Sequence, residues 1–281
     1  MFKFLRALLR AAFAVAAFAS ASASTAAADP RLYAIDCGRA DFADLGPFSD
    51  TGEYDGEPGT LMASCFLIRH AKGTLLWDSG LGDRYAEPPE GTQLPLLRAR
   101  VPVTVAAQLA QLGLSYDDIT HFAFSHGHAD HLGNANAIKR AVWLVNRDEL
   151  AWIRATPSPP RTNPALIAQL ASDSTIILDG DHDVFGDGAV RILSTPGHTP
   201  GHQVLLVRLK NSGYVLLSGD LFHTRANRSE RRMPVFNASR AETLAAIDRI
   251  ERIVARLHAR VVIQHDVDDF ATLPKLPLYL D

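Results

Sequence analysis

Two periods organise the apolar positions of this chain. Short apolar runs or strict alternation, bounded by Gly, Asp, Asn and Pro, mark strands. LYAIDCG predicts a strand over Leu32 to Asp36, and LMASCFLIR and TLLWDSG predict a hairpin turning at AKG, where Gly73 supplies the turn. ITHFAFS, AVWLV, TIILD, VRILST, QVLLVRL, YVLLSGD and RVVIQH are further strand runs. A Gly/Asp/Pro-rich loop is predicted over residues 38–60 and an irregular loop over 84–100. Helical spacing appears in VPVTVAAQLAQLGL, which ends on Gly113, and in stretches around Asp148–Arg154 and Pro164–Ala171. A further helix could start at HLGNANAI. The strongest helical signal is SRAETLAAIDRIERIVARLH. There Ser239 and Glu242 have capping-box spacing, and Leu244, Ile247, Ile250, Val254 and Leu257 form an apolar stripe. Strands mostly in hairpins, with helices outside them, predict an α/β (α+β) class with two mixed sheets packed face to face. A strand ending in WDSG (77–80) is faintly echoed by one ending in LSGD (217–220).

The first 28 residues follow different rules. Lys3, Arg6 and Arg10 precede the apolar run AAFAVAAFA (11–19), and A-x-A patterns end at Ala23 and Ala28. This is the form of a secretory signal peptide. The run is well short of the ~20 residues that a membrane span needs. The expectation is a signal peptide over 1–28, a single domain over 29–281 and a mature protein starting near Ser24 or Asp29. A bacterial periplasmic or secreted location follows, with no stable membrane anchor after cleavage. Lys+Arg is 28 against Asp+Glu 31, which offers no electrostatic footprint for nucleic acid. Cys37 and Cys65 both lie in strand-like stretches and could be neighbours across a ladder. An exported compartment permits a disulfide, but two small buried thiols are the simpler reading.

The chemistry concentrates in FSHGHADHLGN (124–134), which places His126, His128, Asp130 and His131 just past an apolar strand. STPGHTPGH carries His198 after VRILS, LSGD carries Asp220 and VVIQH carries His265. Every carrier is an apolar strand with the ligand at its C-terminal end, so strands ending on one rim would converge these groups on one pocket. Five imidazoles and two carboxylates suit zinc, and iron, manganese or cobalt accept the same donors. Seven ligands exceed what one tetrahedral ion uses, so two ions sharing a carboxylate are expected. His202 either orients the loop carrying His198 or supports a ligand. His70, His121, His182 and His258 lack such context and read as surface or supporting residues. Ser125 and Ser218 lack a triad setting for nucleophilic catalysis.

SHGHADHLGN resembles the H-x-H-x-D-H signature of the metallo-β-lactamase superfamily, and TPGHTPGH, SGD and the late QH match its other motifs in order over residues 31–281. The resemblance implies a four-layer αββα sandwich with metals at the sheet rims. His126, His128 and His198 would hold the first metal, and Asp130, His131 and His265 the second. Asp220 would bridge them beside a shared hydroxide that attacks the substrate. Within the superfamily the chain is most similar to the N-acyl homoserine lactone hydrolases, through LYAIDCG, SCFLIRHAKGTLLWDSGL, DHLGN and PVFNASRAETLAAIDRIERI. This implies an exported quorum-quenching lactonase with two zinc ions and a small lactone or ester substrate. A homodimer is left open. Asp130 would also move a proton to the leaving oxygen. Some lactonases have a tyrosine three residues past the bridging aspartate, touching the substrate carbonyl; here that position is His223. Met62, Phe222 and Phe236 are candidates for an acyl-chain pocket, against the alternative that they belong to the core or a loop. A periplasmic metallo-β-lactamase and an arylesterase or thioesterase of the same fold remain the alternatives.

Overall fold

The computed structural model describes residues 29–170 and 174–281; the segment read as a signal peptide lies outside them. The two longest strands, β1 (Arg31–Phe42) and β2 (Gly59–His70), pair antiparallel. β3 (Gly73–Trp77) closes the expected hairpin on β2. Gly73 has φ 153, and a Cβ there would lie 2.4 Å from Thr120 Oγ1, so only glycine fits this turn. β4 (Thr92–Gln93) and β5 (Arg98–Arg100) extend the sheet beyond β1. Helix α1 (Val105–Gln111) follows, capped by the Thr104 side chain. β6 (His121–Ala123), β7 (Val142–Asn146) and β8 (Thr175–Leu178) then add in parallel, with helix α2 (Arg147–Ile153) after β7. The order of this eight-stranded sheet is β4-β5-β1-β2-β3-β6-β7-β8.

The second sheet comes from the C-terminal half. It comprises β9 (His182–Asp183), β10 (Val190–Ser194), β11 (Gln203–Leu209) and β12 (Gly213–Leu217). Helices α3 (Arg225–Glu230) and α4 (Arg240–Leu257) precede β13 (Arg260–Val262), which joins β12 in parallel. Helix α5 (Val267–Ala271) follows, and the five-strand order is β13-β12-β11-β10-β9.

Alternation within the strands builds the layers. On β2, Phe66 and Ile68 face the second sheet and pack with Val190, Ile192, Leu205 and Val215. Cys65 and Leu67 face the other way, against Val105 and Leu109 of α1. On β11, Leu205 and Val207 enter the core between the sheets, while Val204 and Leu206 meet Ile247, Ile250 and Val254 of α4. The result is helix, sheet, sheet, helix, in agreement with the αββα expectation. Each fully buried large apolar side chain stabilises the fold by roughly 1.5–3 kcal/mol. The α4 stripe is centred as predicted, although Leu244 and Leu257 are only partly buried and Thr243 and Ala246 take their share of the interface.

Several local expectations are corrected. β1 runs on to Phe42 because an irregularity between Asp36 and Arg39 absorbs Gly38, at φ 124, without ending the strand. Residues 84–100 contain β4 and β5, since Arg98–Arg100 finds free backbone groups along Arg39–Asp41. Only a one-turn 3₁₀ helix, Ala135–Ala137, forms in HLGNANAI, and Pro164–Ile167 is likewise one short turn. Cys37 and Cys65 are bonded to each other. The bulge in β1 carries Cys37 towards β2 and leaves the Cα atoms 5.8 Å apart, within bridging range.

The two cysteines are 28 residues apart, and a cross-link over such a loop contributes about 3.6 kcal/mol in chain-entropy terms. Alkylation of the denatured, unreduced protein should therefore leave both sulfurs unlabelled. Replacing both by serine should lower the unfolding free energy by about that amount in a urea titration. Two labelled thiols in the untreated protein would contradict the bond.

Candidate metal centre

All the ligand-capable groups lie just past strand ends on one rim of the sandwich. His126, His128, Asp130 and His131 follow β6, His198 follows β10, Asp220 follows β12 and His265 follows β13. The two sheets deliver them from both sides. His126 Nε2 lies 2.8 Å from His128 Nδ1, and His198 Nε2 lies 3.1 Å from the same atom. Asp220 Oδ2 is 3.2 Å from His198 Nε2 and 3.6 Å from His126 Nε2. The other oxygen, Oδ1, is 2.9 Å from His265 Nε2 and 3.1 Å from His131 Nε2. Asp130 Oδ2 stands 3.8 Å from both of those imidazoles. The groups thus resolve into His126–His128–His198 and Asp130–His131–His265, with one oxygen of Asp220 turned to each.

The far side of four of the five imidazoles is occupied, while His128 turns its Nδ1 to the centre. His126 Nδ1 contacts Ser125 Oγ at 3.1 Å, and His131 Nδ1 contacts Asp78 Oδ2 at 3.0 Å. His198 Nδ1 donates to Asn237 Oδ1 at 2.9 Å, and His265 Nδ1 donates to the Met62 carbonyl. These contacts leave Nε2 of all four rings aimed at the centre, the arrangement of metal-binding histidines. His131 Nε2 and Asp220 Oδ1 are buried and close together, yet neither has a hydrogen-bond partner. Buried polar atoms without partners are costly, and a shared cation satisfies both. The donor set fits a pair of divalent ions.

Electrostatics supports the same assignment. Burial pushes His126 and His128 well below the ordinary imidazole range, so they stay neutral and keep a lone pair for a metal. Burial would raise the Asp220 carboxyl, but His265, His126, His223 and His131 outweigh it and hold the group well below the usual carboxylate value. Burial opposes charge on His131, yet Asp220, Asp78 and Asp130 keep it well above the usual value, so three acids favour a positive charge at this position.

A supporting layer escaped the reading of the sequence. Asp78, fully buried at φ 60, accepts from Ser125 N–H, Ser125 Oγ, His131 and Gln264 Nε2. Gln264 in turn accepts from Trp77 Nε1 and Gly219 N–H. Glu149, also fully buried, accepts from Gly127 N–H, Thr199 Oγ1 and Gly201 N–H. It ties the His126–His128 loop to the His198 loop. Asp78 had a signal in the WDSG echo, whereas Glu149 looks like any acid in the first turn of a helix. His202 fills both roles weighed for it: its Nδ1 contacts Thr195 Oγ1 at 2.8 Å within the loop carrying His198, and its Nε2 accepts from Asp220 N–H at 2.9 Å. Gly219, at φ 48, allows that approach; a Cβ there would lie 2.7 Å from His202 Nε2. His70 pairs with Asp187 and stacks on Phe185, away from the centre.

The centre opens into a cavity of about 190 Å³ whose wall is mostly apolar. Met62 and Phe236 line it. Phe222 does not: at 1% exposure it packs in the cluster beneath α4, because the short turn at Gly219–Leu221 points it inward. The 84–100 segment supplies Tyr85, Leu94 and Leu97 to the wall. His223 also faces the cavity, stacked on His265 at 5.3 Å, with Nε2 2.9 Å from Asp220 Oδ2.

A model of the metallo-beta-lactamase superfamily matches residues 58–265. The chain belongs to the metallo-β-lactamase superfamily. It is 31% identical over 230 residues to the N-acyl homoserine lactonase AttM of Azorhizobium caulinodans, covering 77% of this chain and 86% of that one. It is 26% identical over 234 residues to the N-acyl homoserine lactonase AiiA of Bacillus thuringiensis subsp. kurstaki, covering 79% and 90%. The crystal structure of a quorum-quenching N-acyl homoserine lactone lactonase superposes with TM-score 0.76 at 25% identity, covering 89% of this chain and 97% of that one. The dizinc lactonase AidC shares the fold, with TM-score 0.65 at 18% identity over 85% and 88% of the two chains. As a superfamily member with this donor set, the protein is a metal-dependent hydrolase.

The Asp78 contact fixes the His131 ring, and loss of such a partner typically weakens metal binding about 10–100-fold. Asp78→Asn should show that loss in competition with a chromophoric chelator, and His128→Ala should lower the metal content of the purified protein. Wild-type affinity in D78N would remove the role assigned to this carboxylate.

Proposed function

We propose that the protein is an exported dinuclear zinc lactonase that opens N-acyl homoserine lactones and thereby quenches quorum signals. The observation that carries this reading is Asp220, whose two oxygens face the two histidine clusters at the floor of an apolar cavity. The lactonase relatives, the basic and apolar start of the chain and the Cys37–Cys65 bond support it.

His126, His128 and His198 would hold one ion, and Asp130, His131 and His265 the other, with Asp220 between them. When bound, such a pair supplies a water acidified towards neutral pH as nucleophile and a Lewis acid for the ester carbonyl. The remaining work falls to the chain. Asp130 is the ligand candidate with solvent access, its side chain 37% exposed, and its carboxylate can carry a proton to the alkoxide leaving group. Burial brings His223 down to about 4, so it is neutral at pH 7 and retains one N–H. Carried on Nε2, 2.9 Å from Asp220 Oδ2, that N–H holds the carboxylate set between the two histidine clusters. Met62, Phe236 and the 84–100 wall exclude water from an acyl tail.

A proton-release screen of the zinc-loaded protein on homoserine lactones, a chromogenic cephalosporin and an aryl ester tests the reading. Lactones should turn over fastest, and His223→Phe should lower activity about 10–100-fold, as expected for loss of a group that orients a metal-ligand carboxylate. Dominant cephalosporin or aryl-ester turnover would move the protein to another branch of the fold. Edman sequencing of protein from the periplasm or medium should start near Ser24 or Asp29.

A further inference from the structure

Arg161 stands where the metal cleft meets its outer wall. Its backbone is left-handed, φ 64, a conformation that a non-glycine residue holds only where neighbours impose it. The neighbours are the metal-ligand loop: Ala129 N–H donates to the Arg161 carbonyl at 3.1 Å, and Thr162 forms an antiparallel bridge with His128. The guanidinium carbon lies 3.5 Å from the ring centre of Phe236, a cation–π contact that holds the side chain against the ring. Both side chains line the cavity beside Asp130.

Among the described residues no carboxylate forms an ion pair with this guanidinium, and none accepts a hydrogen bond from it. Asp130 and Asp220 face it only at longer range, and both are assigned to the metals. Partial burial lowers its pKa from the usual arginine value, the mark of a cation stripped of some water without a fixed counter-charge. Elsewhere in the fold, arginines such as Arg100, Arg147 and Arg228 meet a carboxylate with two nitrogens. Arg161 therefore offers a planar fork of free donors to whatever occupies the cleft.

Much of the rest of the wall is apolar, with Met62, Leu94 and Leu97. A ligand that uses the whole cavity brings an ester to the ligand cluster, a hydrogen-bond acceptor to Arg161 and an apolar tail to the apolar wall. We infer that Arg161 recognises the amide carbonyl of an acylamino substituent, making the cleft selective for N-acylated lactones over plain alkyl lactones. This rests on the lactonase reading and adds to it a specificity-determining residue and the substrate feature it reads.

The test compares the zinc-loaded full chain with Arg161→Met and Arg161→Lys on two substrates, N-octanoyl homoserine lactone and γ-dodecalactone. The second has an alkyl tail of similar length and no amide. In R161M, KM for the N-acyl lactone should rise about tenfold or more, as for a lost hydrogen bond to a charged group, while kcat changes little. The ratio of kcat/KM between the two substrates should fall about tenfold, with metal content as in wild type. R161K keeps a charge but loses the planar fork, and should show a smaller fall in the same ratio. Equal losses on both lactones in both variants would overturn the inference and leave the lactonase reading standing. So would a change confined to inhibition by the ring-opened carboxylate product. A wild-type protein inactive on both lactones would overturn the function proposed above, and this inference with it.

Discussion

The carboxylate of Asp220 is the constraint on which the rest of the site depends. It is 4% exposed, and an anion so buried is tolerated only with partners. Its partners are four imidazoles at 2.9–3.2 Å, from His131, His198, His223 and His265, with its own N–H given to His202. These side chains come from loops after β6, β10, β12 and β13, so one carboxylate gathers the ends of strands from both sheets. The same crowding of imidazoles keeps the group ionised despite burial.

Beneath the ligands lies a second set of buried acids that makes the arrangement rigid. Asp78 and Glu149 would each be unstable if left alone in the interior. Each instead accepts three or more hydrogen bonds, mostly from loop backbone and from the residues that orient the ligands. Gln264 joins this set to the core through Trp77. The hydrophobic sandwich thus sets where the strands end, and the buried acids set how the loops leave them. Catalytic geometry of this kind depends on such support as much as on the ligands themselves.

Much of this was legible along the chain. The seven side chains at the rim could be picked out because each follows an apolar strand, and strand polarity is a local property that survives into the fold. The hairpin at Gly73 and the α4 helix were legible for the same reason, since turn and capping chemistry act within a few residues. Phe222 was misleading because one apolar residue near a ligand can face either the cavity or the core, and the turn at Gly219–Leu221 decides which. The strands within 84–100 were missed because Thr92–Gln93 and Arg98–Arg100 have no apolar alternation of their own; they exist because β1 presents an edge.

By itself, then, the sequence determined the layers, the strand ends and the donor chemistry, all of which follow from periods of two and 3.6 residues and from residue type. Tertiary structure decided the long-range pairings. Cys37 meets Cys65 through a bulge, Glu149 bonds to two loops distant in the chain, and Arg161 lies over Phe236 without an ion pair to any carboxylate among the described residues. Such pairings depend on which surfaces pack against one another, and no local pattern encodes the distance between residues that meet only after the sheets have closed.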